Sequence, residues 1–232
     1  MKGFFITGTG TGVGKTIVTI ILGLYLKSKG YENTIALKPI ESGCNKISNV
    51  LIPHDGSLLK EMLKQSESLD VITPIRYERP LSPFAASLIE GNAFDKDLLI
   101  KHINDISIRY DRLLIEGIGG LMVPLDNKYF VYNLIKDLTL PVIIIAQAGL
   151  GTINHTLMSV DFALRHGINV AGIIINNCCS DPSDESIASN PKIIRKLSPV
   201  PVIGDIPYLK SLDYIEFIKI INYIDNSIIK YL

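Results

Sequence analysis

Phe4-Phe5-Ile6-Thr7-Gly8-Thr9-Gly10-Thr11-Gly12-Val13-Gly14-Lys15-Thr16 runs an apolar strand into a glycine-rich loop that closes on Gly-Lys-Thr. Glycines at 8, 10, 12 and 14 let successive backbone N–H groups approach one anion, and the helix that follows adds its positive end. The stretch therefore reads as a phosphate-binding loop, with Gly12, Val13, Gly14, Lys15 and Thr16 around a nucleotide. Lys15 reaches the β/γ-phosphates in such a loop, and Thr16 holds Mg²⁺. The expected first glycine is Gly8, one place earlier than G-x4-G-K-[ST] requires, so the loop is a variant one residue longer.

Composition sets the frame. The 232 residues are 47% hydrophobic and no Pro/Gly/Ser-rich linker divides them, so residues 1–232 read as one α/β domain. The formal net charge is zero, which favours small molecules or other subunits over nucleic acid or an anionic membrane. The longest apolar stretch, Ile17 to Leu26, is about half of the ~20 residues a spanning helix needs, and glycines come too early for a signal sequence. A cytoplasmic protein is expected. Cys44, Cys178 and Cys179 form no C-x-x-C pair and are read as structural.

Ile17 to Lys29 is the first helix, and Thr34 to Lys38 the next strand, which completes a βαβ unit and makes the sheet parallel. Pro39 stops that strand and leaves Lys38 at its carboxyl end. Ligands of open α/β sheets gather at that edge, so Lys38 and Ser42 are expected to face the same crevice as the phosphate loop, unless Lys38 is merely a solvated strand-end lysine. Leu51 to Ser68 reads as loop and helix, with Asp55 near the helix start; spacing alone does not separate capping from metal binding there. Arg76 to Pro83 reads as a loop over the sheet edge, suited to a lid, before the helical pattern Phe84 to Ile89. Phe94 to Arg109 is a further helix.

Leu113 to Ile115 form a buried strand, and Glu116 is the first acidic residue at its carboxyl end, followed by Gly117, Gly119 and Gly120. Phosphate-loop enzymes place a metal-binding carboxylate there, and a buried glutamate costs several kcal/mol unless paired or protonated, so Mg²⁺ binding is favoured for Glu116 over a structural role whose partner the sequence does not show. Pro141 to Ala146, Asn169 to Asn176 and Pro201 to Tyr208 supply further strands, for a sheet of about seven. The Gly149–His155 turn opens a helix that ends at Gly167 and offers a second anion site. Ser180 to Asn190 reads as a mobile loop, and Tyr214 to Leu232 as a closing amphipathic helix. No H-E-x-x-H, C-x-x-C or G-x-S-x-G occurs, which leaves zinc hydrolysis and serine acyl transfer without support.

Gly8–Thr16, Lys38-Pro39-Ile40-Glu41-Ser42-Gly43, Pro80-Leu81-Ser82-Pro83, Glu116–Gly120, Leu150-Gly151-Thr152-Ile153-Asn154-His155 and Gly204-Asp205-Ile206-Pro207 together resemble the ordered motif set of dethiobiotin synthetase, over nearly the whole chain. The resemblance implies a three-layer fold of the P-loop NTPase type and a reaction of 7,8-diaminopelargonic acid, CO₂ and Mg·ATP. It implies that Lys15 and Lys38 neutralise charge, that Thr11 and Ser42 orient a carbamate, and that Thr16, Asp55 and Glu116 hold Mg²⁺. It further implies adenine contacts at Asn176 and Pro207 and a diamine lying along Gly117 to Gly120. It places Leu150, Gly151, Thr152 and Asn154 across a two-fold axis, so that a homodimer shares its substrate sites. Gly10 and Gly12 stand where many family members carry acidic residues, and Phe84 where histidine is common. A partition- or metallochaperone-type ATPase switch is the alternative; its K-G-G-x-G-K-[ST] loop has a lysine where this chain has Gly10.

Overall fold

The computed structural model describes residues 1–178 and 183–232. In chain order it forms β1 (Gly3–Gly8), α1 (Lys15–Ser28), β2 (Thr34–Leu37), β3 (Ile40–Ser42), β4 (Asn45–Ile47), β5 (Val50–Ile52), α2 (His54–Met62), α3 (Leu69–Ile72), β6 (Ile75–Tyr77), α4 (Pro83–Glu90), α5 (Lys96–Ser107), β7 (Arg112–Gly120), α6 (Val131–Leu138), β8 (Val142–Gln147), α7 (Thr152–Arg165), β9 (Val170–Asn176), α8 (Glu185–Leu197), β10 (Val202–Ile206) and α9 (Tyr214–Ile220).

The main sheet is wholly parallel, in the order β10-β9-β8-β1-β7-β2. Its strands are apolar on both faces, as a sheet covered on both sides requires. Alternation along β1 shows the consequence: Phe5 packs with Ile115, Ile144 and the apolar faces of α5 and α6, while Phe4 and Ile6 pack with Leu114, Ile143 and the α1 face. Helices thus cover both faces, giving three layers. Edge strand β2 is blunted by a side chain, since Gln65 accepts from Ala36 N–H at 2.6 Å and donates to the Ala36 carbonyl at 3.1 Å.

Four expectations need correction. Among the described residues the main sheet has six strands rather than about seven, and β3 instead pairs in parallel with β6, part of the segment read as a loop; beyond β6, Pro80, Leu81 and Ser82 remain loop. The closing helix stops at Ile220 and continues as short 3-10 turns. The chain breaks there because Ile224 bridges to Gly204 and Asp225 N–H reaches the Ile203 carbonyl. Of the segment read as a mobile loop, residues 180–182 lie outside the described residues, whereas from Glu185 onward it is helix α8, capped by Asp184 accepting from Ser186 N–H at 2.9 Å. Finally, α6 went unread, although Val131, Leu134, Ile135 and Leu138 have core-facing spacing and are buried. Among the described residues, no helix is long and apolar enough to cross a membrane.

Candidate active site

The carboxyl ends of β1, β2 and β7 meet at one edge of the sheet, where ligands of parallel α/β sheets gather. The β1–α1 loop opens there, and α1 starts from Gly14 in the left-handed region at φ 82° with no side-chain cap. A Cβ on Gly14 would lie 2.1 Å from Nδ2 of Asn176, which donates to the Val13 carbonyl at 3.1 Å. The end of β9 is thereby pinned beneath the loop. Lys15 folds back and donates to the Gly10 carbonyl at 2.9 Å. Burial, and then the charge of Lys38, push its ammonium down to about 8, outweighing the opposing pull of Glu116 and Asp55.

Lys38 directly follows the last residue of β2 and is 3% exposed. Its ammonium donates to Glu116 Oε1 at 2.7 Å and to the Gly117 carbonyl at 3.2 Å, and lies 3.1 Å from Asp55 Oδ2. Burial alone would lower the Lys38 pKa, but the two carboxylates outweigh it and hold the group above the usual lysine range. Lys38 is no solvated strand end. Asp55 does not cap α2, whose N-cap is Pro53; it turns instead toward Lys38, which overcomes burial and holds its carboxyl below the usual range.

Glu116, fully buried beside Ile6 in the β1–β7 register, accepts from the Thr16 hydroxyl at 2.8 Å through the same Oε1 that Lys38 uses. Its Oε2 is buried with no hydrogen-bond partner among the described residues. An orphaned carboxylate oxygen is costly, and its carboxyl group accepts from the Thr16 hydroxyl and shares Lys38 with the Asp55 carboxylate. That donor set fits Mg²⁺, which takes one or two carboxylates and completes its shell with phosphate oxygens and water. Among the described residues, no group of three or more His, Cys, Asp or Glu could cage a metal alone.

These residues line a cleft of about 700 Å³ together with Thr11, Gly12, Gly14, Ser42, Gly119 and the Pro80-Leu81-Ser82 loop. Ser82 caps α4 by accepting from Ala85 N–H at 3.4 Å, with Pro83 at the first helical position. Asn176 and Pro207 do not line the cleft. The register Ile206↔Asn176 puts Pro207 one residue beyond the strand partner of Asn176. Leu150, Gly151, Thr152 and Asn154 are also outside it. Thr152 is buried with its hydroxyl 3.3 Å from that of Thr156, while Leu150 is 92% exposed. Sequence reasoning passed over Glu41, which is buried in β3 and accepts from the N–H groups of Asp55 and Gly56 at 2.9 and 3.0 Å. Its only trace in the sequence was an acidic residue three places after Lys38.

The AAA domain family model matches residues 2–215. The ATP-dependent dethiobiotin synthetase BioD of Thermodesulfovibrio yellowstonii is 46% identical over 91% of this chain and 90% of its own length. The chain belongs to the dethiobiotin synthetase family. The same-named proteins of Bacillus subtilis and Aquifex aeolicus are each 41% identical, over 91% and 89% of this chain and 90% and 92% of theirs. Solved structures agree on the fold alone. The cell division ATPase MinD of Pyrococcus furiosus superposes with a TM-score of 0.55 at 15% identity, covering 100% of both chains. A ParA family ATPase of Chlorobium tepidum gives 0.54 at 14% identity, over 99% of this chain and 92% of its own. This chain thus shares its overall fold with MinD and a ParA family ATPase.

Proposed function

We propose that this chain is a cytoplasmic, single-domain enzyme that closes the ureido ring of dethiobiotin from 7,8-diaminopelargonic acid, CO₂ and Mg·ATP, releasing ADP and phosphate. The observation that carries the reading is the convergence of Lys15, Lys38, Asp55, Glu116 and Thr16 in a cleft of about 700 Å³, which leaves room beside a triphosphate for a second substrate. One substrate amine adds to CO₂ and loses a proton, giving a carbamate. A carbamate oxygen then attacks the γ-phosphorus as the bond to ADP breaks, and the second amine displaces phosphate from the carbonyl carbon to close the ring.

Carbamate and triphosphate repel each other, so positioning and charge neutralisation are the main tasks of the protein. Lys15, released from Gly10, would meet the β/γ-phosphates, and Lys38 the transferring group. Thr11 and Ser42 would orient the carbamate, and the Gly117–Gly120 backbone would lie along the diamine. Thr16, Asp55 and Glu116 would hold Mg²⁺, which screens the phosphate charge when bound. Asn176 and Pro207 would border the adenine. A homodimer is part of the proposal: Leu150 and Met158, 92% and 59% exposed, are apolar surface at and beyond the Gly151 helix start that a second chain would cover. ADP release should require the diamine and bicarbonate together. Steady ADP release with either one omitted would instead favour an ATPase switch.

A further inference from the structure

Helix α2 begins without a cap of its own. Pro53 occupies the N-cap and supplies no side-chain acceptor, so the first-turn N–H groups need partners from elsewhere. They find one on another element. Glu41, in the middle of β3 and 4% exposed, accepts from Asp55 N–H through Oε1 at 2.9 Å and from Gly56 N–H through Oε2 at 3.0 Å. On the far side the turn is also confined, because a Cβ on Gly56 would fall 2.1 Å from the Thr73 hydroxyl oxygen.

We propose that Glu41 is a positioning residue: it clamps the first turn of α2 from β3 and so aims the Asp55 carboxylate at Lys38 and the Mg²⁺ site. Two separate oxygens on two successive amides fix the turn against rotation, which a single cap would not do. No ion pair within 4.0 Å neutralises Glu41 among the described residues, and burial and then the Asp55 charge raise its pKa. A third carboxylate beside Asp55 and Glu116 is a costly way merely to end a helix. It is economical if the orientation of Asp55 is what matters. Glu41 also lies one residue before Ser42 and three after Lys38, so β3 ties the Asp55 turn to two residues lining the same cleft.

The inference rests on the reading of Asp55 as a Mg²⁺ ligand, and the experiment separates the two. Binding of the β,γ-imido analogue of ATP is measured by calorimetry with and without Mg²⁺, for the parent, Glu41→Ala, Glu41→Gln, Asp55→Asn and the Glu41→Ala/Asp55→Asn double variant. Glu41→Ala should weaken the Mg²⁺-dependent part of binding by about tenfold, the lower end for a residue that orients a metal ligand, and leave metal-free binding unchanged. Glu41→Gln, which keeps the shape and one acceptor, should fall between. The double variant should bind no worse than Asp55→Asn, since both changes disable one device.

Amide hydrogen exchange at Asp55 and Gly56 should quicken in Glu41→Ala. If Asp55→Asn weakens Mg²⁺-dependent binding while neither Glu41 variant does, the positioning role is wrong and Glu41 is only a cap. An Asp55→Asn variant with unchanged Mg²⁺ dependence removes the reading beneath it as well. Should Glu41→Ala fail to fold, Glu41→Gln decides, and parent-like Mg²⁺ dependence in that variant overturns the proposal.

Discussion

Lys15 and Lys38 carry the same charge but are held in different ways, and their variants should fail in different ways. Lys38 is the counter-ion of Glu116 and Asp55, so Lys38→Gln removes the positive charge beside a fully buried carboxylate. Breaking a buried pair from one side costs about 3–5 kcal/mol, and the empty variant should melt well below the parent. Lys15 is bonded to the Gly10 carbonyl, and Lys15→Ala should leave the melting temperature nearly unchanged. In turnover the order reverses: Lys15→Ala should raise the ATP KM, while Lys38→Gln should lower kcat more than it raises that KM, as expected for a contact strongest in the transition state. Equal loss of ATP affinity in both variants would contradict this division. The place of Lys38 was legible because Pro39 ends its strand. Its partners were not, since Glu116 is 78 residues away and pairing across β2 and β7 is set by the sheet order. Glu41 escaped reading for the same reason, its partners being N–H groups of a helix 14 and 15 residues on.

The phosphate loop and the helices around it are bound by backbone geometry as much as by side chains. Gly12 and Gly14 have nearly the same φ, 77° and 82°, but a Cβ at Gly12 would meet open space whereas one at Gly14 would strike Asn176. An alanine at either position takes on left-handed strain of about 1–3 kcal/mol. Gly14→Ala must in addition displace Asn176 from the Val13 carbonyl, so it should melt lower than Gly12→Ala and lose more ATP affinity. Equal melting temperatures by calorimetry would show that Asn176 does not hold the loop. Elements with continuous apolar runs, such as β1, β8 and β9, were plain in the sequence because burial on both faces demands them. What escaped was set by distant contacts: β3 is a strand only because β6 lies beside it, and α9 ends where Ile224 bridges to β10. Polar composition hid α8, whose start is fixed by the Asp184 side chain.

At the scale of the molecule, fold and function separate cleanly. MinD, a cell division ATPase, shares this architecture at 15% identity, so the fold alone does not choose the activity. One region expected to serve the substrate lies outside the cleft beside the loop in the same chain. The α7 start, from Leu150 to Asn154, can act on a diamine only if a second copy brings it to the partner's loop. A two-fold axis would then build two sites, each from both chains. Thr152 is buried against Thr156, so a test through it would risk the fold; Asn154 is exposed and can be changed freely. Take Lys15→Ala as one inactive protein and Asn154→Glu, which sets a negative charge against the substrate carboxylate, as the other. If each site takes Lys15 from one chain and Asn154 from its partner, a mixed dimer holds one doubly damaged site and one intact site. Equal mixing under subunit exchange should therefore restore about a quarter of the parent activity, because half of the dimers are mixed and each has one working site of two. Should mass measurement show that exchange is complete and no activity return, each chain carries its whole site and the helix start has no part in the neighbour's chemistry.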